Sequence, residues 1–142
     1  MSVELFLEKV RLMDEQIDRL LDERDRLKAL ATDISSKPIT DMPMDHCGTV
    51  SQKMQDAVIA LIELEHHINK KIDAFVDHKH KVITALNRLP RLERTILYRH
   101  YILYQSWAQV AQGLNYSRMH LWRIRQNGYK ILEKAIECYY EM

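Results

Sequence analysis

Glycine and proline are scarce in this chain, whose 142 residues include only three of each. A β-rich fold needs a turn about every 8–12 residues, and turns depend heavily on these two residue types. Their scarcity therefore argues against a sheet architecture and predicts long helices with few connections. The chain is 46% hydrophobic and 29% charged, a balance that favours a folded protein over a disordered one.

Long apolar runs and paired cysteines are missing as well. No stretch approaches the roughly 18 apolar residues of a membrane-spanning helix. Acidic residues interrupt every short apolar run near the N-terminus, which is unlike a signal peptide. The two cysteines, Cys47 and Cys138, lie far apart and form no CxxC pair. These features favour a protein of the reducing cytoplasm that has no membrane partner.

The patterns of common catalytic and metal sites are absent too. The sequence has no glycine-rich phosphate loop, no nucleophile elbow and no HExxH motif. The pair His66-His67 has no matching ligand pair, and His78 and His80 point to different faces of a helix. Solvated helix faces explain these histidines better than a metal site does. We therefore expect no enzymatic activity and no metal or other cofactor.

The net charge of +1 conceals an uneven distribution. Residues 1–78 carry ten Lys and Arg against sixteen Asp and Glu, a net charge of −6. Residues 79–142 carry eleven against four, a net charge of +7. Such asymmetry is typical of a nucleic-acid-binding segment joined to a part with another role.

Apolar residues recur at alternating steps of three and four over residues 3–34, with one interruption. This heptad seam predicts a long helix that needs a partner. A loop over 35–50, which contains Pro38 and Pro43, precedes a second predicted helix over 51–87. The two helices can form an antiparallel hairpin, or either can pair with a second copy of the chain. The seam residues are Val3, Phe6, Val10, Met13, Ile17, Leu20, Leu27, Ala31 and Ile34.

Three shorter helices are predicted in the basic half, over residues 91–103, 107–112 and 118–137. Ser106 and Ser117 are suitable N-caps for the last two helices. Thr49 or Ser51 could cap the second long helix in the same way. Gly113 is expected to end the middle helix in a left-handed conformation. The fold class is thus all-α: a long helical hairpin or coiled coil over residues 1–85, followed by a helix-turn-helix domain over 86–142.

The last two helices match the requirements of a helix-turn-helix. Ala111 is small where the helices would touch, and Leu114 can fix the crossing angle from within the turn. Buried positions of the final helix are expected at Leu121, Ile124, Gly128 and either Ile131 or Leu132. Its remaining positions project outward and have the side chains that read a major groove or contact phosphates. This predicted DNA-binding set consists of Ser117, Arg118, His120, Arg123, Gln126, Asn127 and Lys130.

Two neighbours of this set have other expected roles. Arg125, like Lys130, is placed to reach a phosphate on one flank of the bound segment. Trp122 is expected to pack or to contact the DNA backbone rather than wedge between bases. Because the N-terminal part of such a helix touches the bases, Arg118, His120 and Arg123 rank above Lys130 as base contacts.

The C-terminal third resembles region 4 of sigma factors. The resemblance lies in a Leu89-Pro90 pair, an acidic Glu93 soon after it, an aromatic-rich helix and the helix-turn-helix that follows. The N-terminal part departs from sigma factors, and the whole chain looks more like small phage and prophage regulators of the RinA and ArpU type. The resemblance implies a promoter-binding activator of phage late genes that also contacts RNA polymerase. The other matching positions are Ile96, Leu97, Tyr101, Val110, Ala111, Leu114, Ser117, Leu121, Gly128 and Leu132.

Two alternatives to a transcriptional regulator stay open from the sequence. Small subunits of phage terminases also combine a helix-turn-helix with oligomerisation helices, and they package DNA. A module of this kind can also lose DNA binding and dock on RNA polymerase, although the basic half weighs against that interpretation. Dimerisation through the seam over 3–34 is a further hypothesis, because such regulators commonly bind two-fold symmetric sites.

Overall fold

The computed structural model describes residues 2–36 and 47–140, and this part of the chain consists of five α-helices and their connections. The all-α class predicted from the sequence is confirmed. The helices are α1 (Val3–Ser36), α2 (Cys47–Leu86), α3 (Arg91–Tyr101), α4 (Trp107–Leu114) and α5 (Arg118–Tyr140).

The two long helices extend further than their apolar patterns predicted. The predicted loop over 35–50 lies partly outside the described residues, including Pro38 and Pro43, but its two ends are helical. Thr49 and Ser51 were expected to cap α2, yet both lie inside it because the helix already begins at Cys47. α1 thus ends two residues after its last apolar seam position, and α2 begins four residues before its predicted start.

The chain divides into two compact units, Met1–Asp14 with Ala74–Met142 and Glu15–Asp73. In the first unit His78 of α2 donates a hydrogen bond to the Phe6 carbonyl oxygen of α1, with 2.9 Å between Nε2 and O. In the second unit Lys28 of α1 lies 3.9 Å from the carboxylate of Glu65 of α2. Within each unit, α1 therefore contacts α2 of the same chain, as the hairpin alternative predicts.

This division differs from the predicted boundary between residues 85 and 86. The first turns of α1 and the last turns of α2 share one apolar core with α3 and α5. Leu7, Leu86, Leu97 and Leu132 are almost completely buried in this core. Helix ends that are far apart in sequence therefore belong to one contiguous core.

The seam of α1 is used within the chain. Phe6, Val10 and Ile17 are buried, and the other seam residues whose side chains are described are partly covered. The exposed apolar side chains of α1 and α2 lie outside the seam. The seam is therefore not available to a second copy in this conformation. The most exposed of them are Leu5, Leu12, Leu30, Met54, Val58, Ile59, Ile62 and Val76.

None of the helices described over residues 2–36 and 47–140 is long and apolar enough to cross a membrane.

Candidate nucleic-acid interface

Helices α3, α4 and α5 pack around a small apolar cluster in the first unit. Ile96 of α3, Val110 and Ala111 of α4, and Leu121 and Ile124 of α5 form its buried part. The cluster fixes the angle between α4 and α5, which are joined by only three residues. The predicted roles of Ala111, Leu121 and Ile124 as packing residues are confirmed, and Leu114 packs against the same cluster.

The start of α4 is fixed by a capping box, which confirms the predicted role of Ser106. The Ser106 hydroxyl accepts a hydrogen bond from the Gln109 backbone N–H at 3.2 Å. The Gln109 side chain accepts in return from the Ser106 backbone N–H at 2.9 Å. These two bonds satisfy donors that a helix start would otherwise leave unpaired.

The end of α4 is not where the sequence placed it. Gly113 was expected to end the helix with a positive φ, but it is helical, and Asn115 at φ 57° is the left-handed residue. α4 therefore continues to Leu114, two residues further than predicted, and Leu114 packs against the apolar cluster. A Cβ atom at Gly113 would lie 3.0 Å from the Arg99 guanidinium, so the glycine there permits a close approach of α3 rather than a change of hand.

Ser117 caps α5, as expected. Its hydroxyl accepts a hydrogen bond from the His120 backbone N–H at 3.2 Å, and both side chains are exposed. The cap sets where α5 begins and therefore which side chains belong to its first turn. The edge of the Tyr116 ring lies against His120, with the ring centroids 4.8 Å apart.

Most of the predicted DNA-binding set lies on the solvent side of α5. Arg118, His120, Arg123 and Lys130 are exposed, and Gln126 is half-buried. The opposite side of the helix carries Leu121, Ile124, Gly128 and Leu132, which are buried. The predicted burial of Gly128 is thus confirmed, and of the two alternatives for the next turn Leu132 is buried and Ile131 only partly so.

Asn127 differs from the rest of the predicted set. Its amide donates a hydrogen bond to a carboxylate oxygen of Glu93 on α3, at 2.9 Å. Glu93 is only 9% exposed, and this is the contact that satisfies its buried carboxylate. Asn127 is exposed, but in this conformation its amide nitrogen is engaged at the joint between α3 and α5.

Two apolar residues missing from the predicted set are exposed on the same helix. Met119 is 61% exposed and Trp122 is 53% exposed. Met119 lies four residues before Arg123 and eleven before Lys130, so the three share one side of α5. Helical spacing places Met119 on this side of α5, but only the structure shows that its side chain is exposed.

Arg125 lies over the Trp107 ring, with its guanidinium carbon 4.4 Å from the ring centroid. Its Nε also donates a hydrogen bond to the Tyr129 hydroxyl at 3.0 Å. Arg125 therefore joins α5 to α4, and its cation borders an open cleft of about 330 Å³ between these helices. The cleft is lined by Trp107, Ala108, Arg118, Leu121, Trp122 and Arg125.

Aromatic contacts hold the base of the interface rigid. His100 of α3 stacks on Trp107 of α4, with ring centroids 3.8 Å apart, and its Nδ1 donates to the Gln105 carbonyl oxygen at 2.7 Å. Burial lowers the pKa of His100, so the stacked ring is neutral near pH 7. Tyr101 of α3 and Tyr129 of α5 share a hydrogen bond, and burial raises the pKa of both hydroxyls.

The electrostatics of the interface follow from an acid-free stretch. No Asp or Glu occurs between Glu93 and Glu133, whereas six Lys and Arg do, a net charge of +6 over this stretch. Four of these cations are on α5. Glu133 follows Lys130 by three residues, whereas no Asp or Glu lies within one turn of Arg118, Arg123 or Arg125 on α5. The first turns of the helix therefore carry an excess of positive charge, which attracts a polyanion.

Neither a family model, nor a curated protein, nor a solved structure matches this chain. The class defined by its own residues is an all-helical protein whose last three helices pack around one apolar cluster and carry an excess of positive charge.

Proposed function

We propose that this protein binds double-stranded DNA in a sequence-specific manner and regulates transcription. The observation that carries the proposal is the exposed side of α5, where Arg123 and Lys130 share a face of a helix rigidly packed on α3 and α4. A major groove admits a helix of this size, and guanidinium groups there can donate two hydrogen bonds to guanine. Activation of phage late genes and contact with RNA polymerase are the finer parts of this proposal.

Each exposed polar side chain of the set has an expected role. Arg118, His120 and Arg123 lie in the first two turns of α5, which in helix-turn-helix proteins contact base edges. Lys130 lies two turns further along and is assigned to a phosphate. Ser117 caps α5 by accepting from the His120 backbone N–H, which leaves its hydroxyl hydrogen to donate to a phosphate oxygen.

The test is binding of the purified protein to a duplex, measured by fluorescence anisotropy at several salt concentrations. The association constant should fall linearly with salt on logarithmic axes, because phosphate binding releases counterions. Lys130→Ala should weaken binding to all sequences alike and reduce the slope by about 1. Arg26→Ala removes an exposed cation from α1, in the other unit, and is the matched control that should leave both quantities unchanged.

Three results would contradict the proposal. Equal effects of Lys130→Ala and Arg26→Ala would mean that binding follows net charge and not this face of α5. No binding to any duplex would instead favour a protein-docking role, such as contact with RNA polymerase. Salt-sensitive binding without any sequence preference would favour a DNA-packaging role of the terminase small-subunit kind.

Homodimerisation belongs to the same proposal, but through a different surface from the one expected. The α1 seam is covered within the chain, whereas Val58 and Ile62 of α2 are exposed one helical turn apart. Apolar side chains at this spacing form a stripe that a second copy can bury. A dimer of this kind would read two half-sites related by a two-fold axis.

A further inference from the structure

Met119 is an apolar side chain in the part of α5 where polar ones would be expected. It is 61% exposed, the same as Ile62, and no other described large hydrophobic residue is more exposed. Its position is at the centre of the outward side, since the buried Leu121, Ile124 and Gly128 lie on the opposite side of the helix. Single exposed apolar side chains are common on protein surfaces. The observation that carries the inference is therefore the position of Met119 among the polar side chains of this face.

We propose that Met119 reads a thymine by contact with the 5-methyl group in the major groove. This inference rests on the proposed function, because it assumes that α5 enters the groove. Of the four bases, only thymine carries a methyl group on the major-groove edge, and apolar side chains recognise it by excluding water. The flexible thioether of methionine fits such a small apolar target without demanding a single rotamer.

The surroundings of Met119 favour DNA over a protein partner. Arg118 and His120 flank it in sequence, and Arg123 lies on the same side one turn later. An apolar partner surface would have to desolvate the two guanidinium groups to reach the methionine, which is costly without paired anions. A duplex offers hydrogen-bond acceptors to the guanidinium groups and one apolar group to the methionine at the same time.

The geometry of a helix also fixes where the thymine should be. Met119 and Arg123 are four residues apart, which is about 6 Å along the helix axis at about 1.5 Å per residue. This separation corresponds to roughly two base-pair steps of about 3.4 Å. The thymine should therefore lie within about two base pairs of the base that Arg123 contacts.

The experiment uses the full chain and the duplex that it enriches from a random-sequence pool. Each thymine of that duplex is replaced in turn by deoxyuridine, which lacks only the methyl group and pairs identically. At one position, within about two base pairs of the Arg123 contact, affinity should fall about fourfold, as expected for one buried methyl group. Replacements elsewhere in the duplex should leave the affinity unchanged.

Protein variants then assign the effect to Met119. Met119→Ala should bind the thymine and deoxyuridine duplexes equally, whereas Met119→Leu should keep most of the discrimination. Both variants should fold, because the side chain is exposed. Equal loss on deoxyuridine substitution in the wild-type protein and Met119→Ala would assign the methyl contact to another residue and overturn the inference.

The failure of this inference and the failure of the proposed function are distinguishable. A protein that enriches a defined sequence but ignores every methyl group retains the proposed function and overturns only the role of Met119. A protein that enriches no sequence overturns both.

Discussion

At the scale of single residues, Asn127 shows that a side chain suited to reading DNA can be engaged within the protein instead. Its amide has the chemistry to pair with adenine, yet it binds Glu93 instead. Glu93 is at the first turn of α3, where the helix dipole favours a carboxylate, but its burial requires a hydrogen-bond donor. Asn127 supplies that donor from α5.

We therefore expect Asn127→Ala to act on stability and not on DNA recognition. The variant leaves a buried carboxylate without its amide donor, which should lower the free energy of unfolding by about 1–3 kcal/mol. Chemical denaturation of the variant and of the wild-type protein measures this difference. Lys130→Ala, at an exposed position of the same helix, is the control and should change stability by less than about 0.5 kcal/mol.

A changed base preference together with unchanged stability for Asn127→Ala would contradict this assignment. That outcome would assign Asn127 a role in base recognition, as the sequence predicts.

At the scale of helices, two helical glycines with different neighbours should respond to substitution in opposite ways. A Cβ at Gly128 of α5 would lie 3.0 Å from the Leu97 Cδ1 atom and 3.4 Å from the Glu93 Cβ atom. Leu97 is fully buried and cannot move aside without disturbing the core. At Gly113 of α4 the corresponding contact is the end of the Arg99 side chain, which can swing away.

Alanine substitutions test this difference. Gly128→Ala should lower the free energy of unfolding by about 1 kcal/mol, because overpacking outweighs the gain in helix propensity. Gly113→Ala should be neutral or stabilise by up to about 1 kcal/mol, since only the propensity gain remains. Thermal and chemical unfolding of the two variants measure the signs. A stabilising Gly128→Ala would mean that α3 and α5 are less tightly packed than the structure indicates.

Local signals explain why most of the helical elements could be predicted. Apolar periodicity located the two long helices, and Ser106 and Ser117 marked the starts of α4 and α5. The end of α4 was missed because glycine and asparagine both adopt positive φ, and the sequence does not say which one does. The structure places that conformation at Asn115, two residues beyond Gly113.

At the scale of the whole molecule, periodicity revealed which faces are apolar but not what they pack against. The first turns of α1 share a core with the end of α2, α3 and α5, although residues near the start of the chain are separated from these helices by most of its length. Such long-range partnerships depend on shape complementarity among several helices, and no local pattern encodes them. The predicted boundary at residue 85 reflected sequence order rather than this shared core.

The interface shows the same division between what could and could not be predicted. Arg118, His120, Arg123 and Lys130 were found from helical spacing and charge, and all four are exposed. The hydrogen bond between Asn127 and Glu93 could not be predicted, because its acceptor lies on a helix 34 residues earlier in the chain. Helical spacing predicts the side of α5 on which Met119 lies, but it does not predict that this apolar side chain is exposed.

The most direct test of the account is selection from a random-sequence duplex pool at about physiological salt, followed by sequencing of the bound fraction. The wild-type protein should enrich a defined motif, with two half-sites if the chain dimerises. Arg123→Ala should retain the motif but lose preference at one base pair, a loss equivalent to about 1–3 kcal/mol of discrimination. Identical motifs from the two proteins would mean that α5 does not read the bases as proposed, and no enrichment by the wild-type protein would contradict sequence-specific binding altogether.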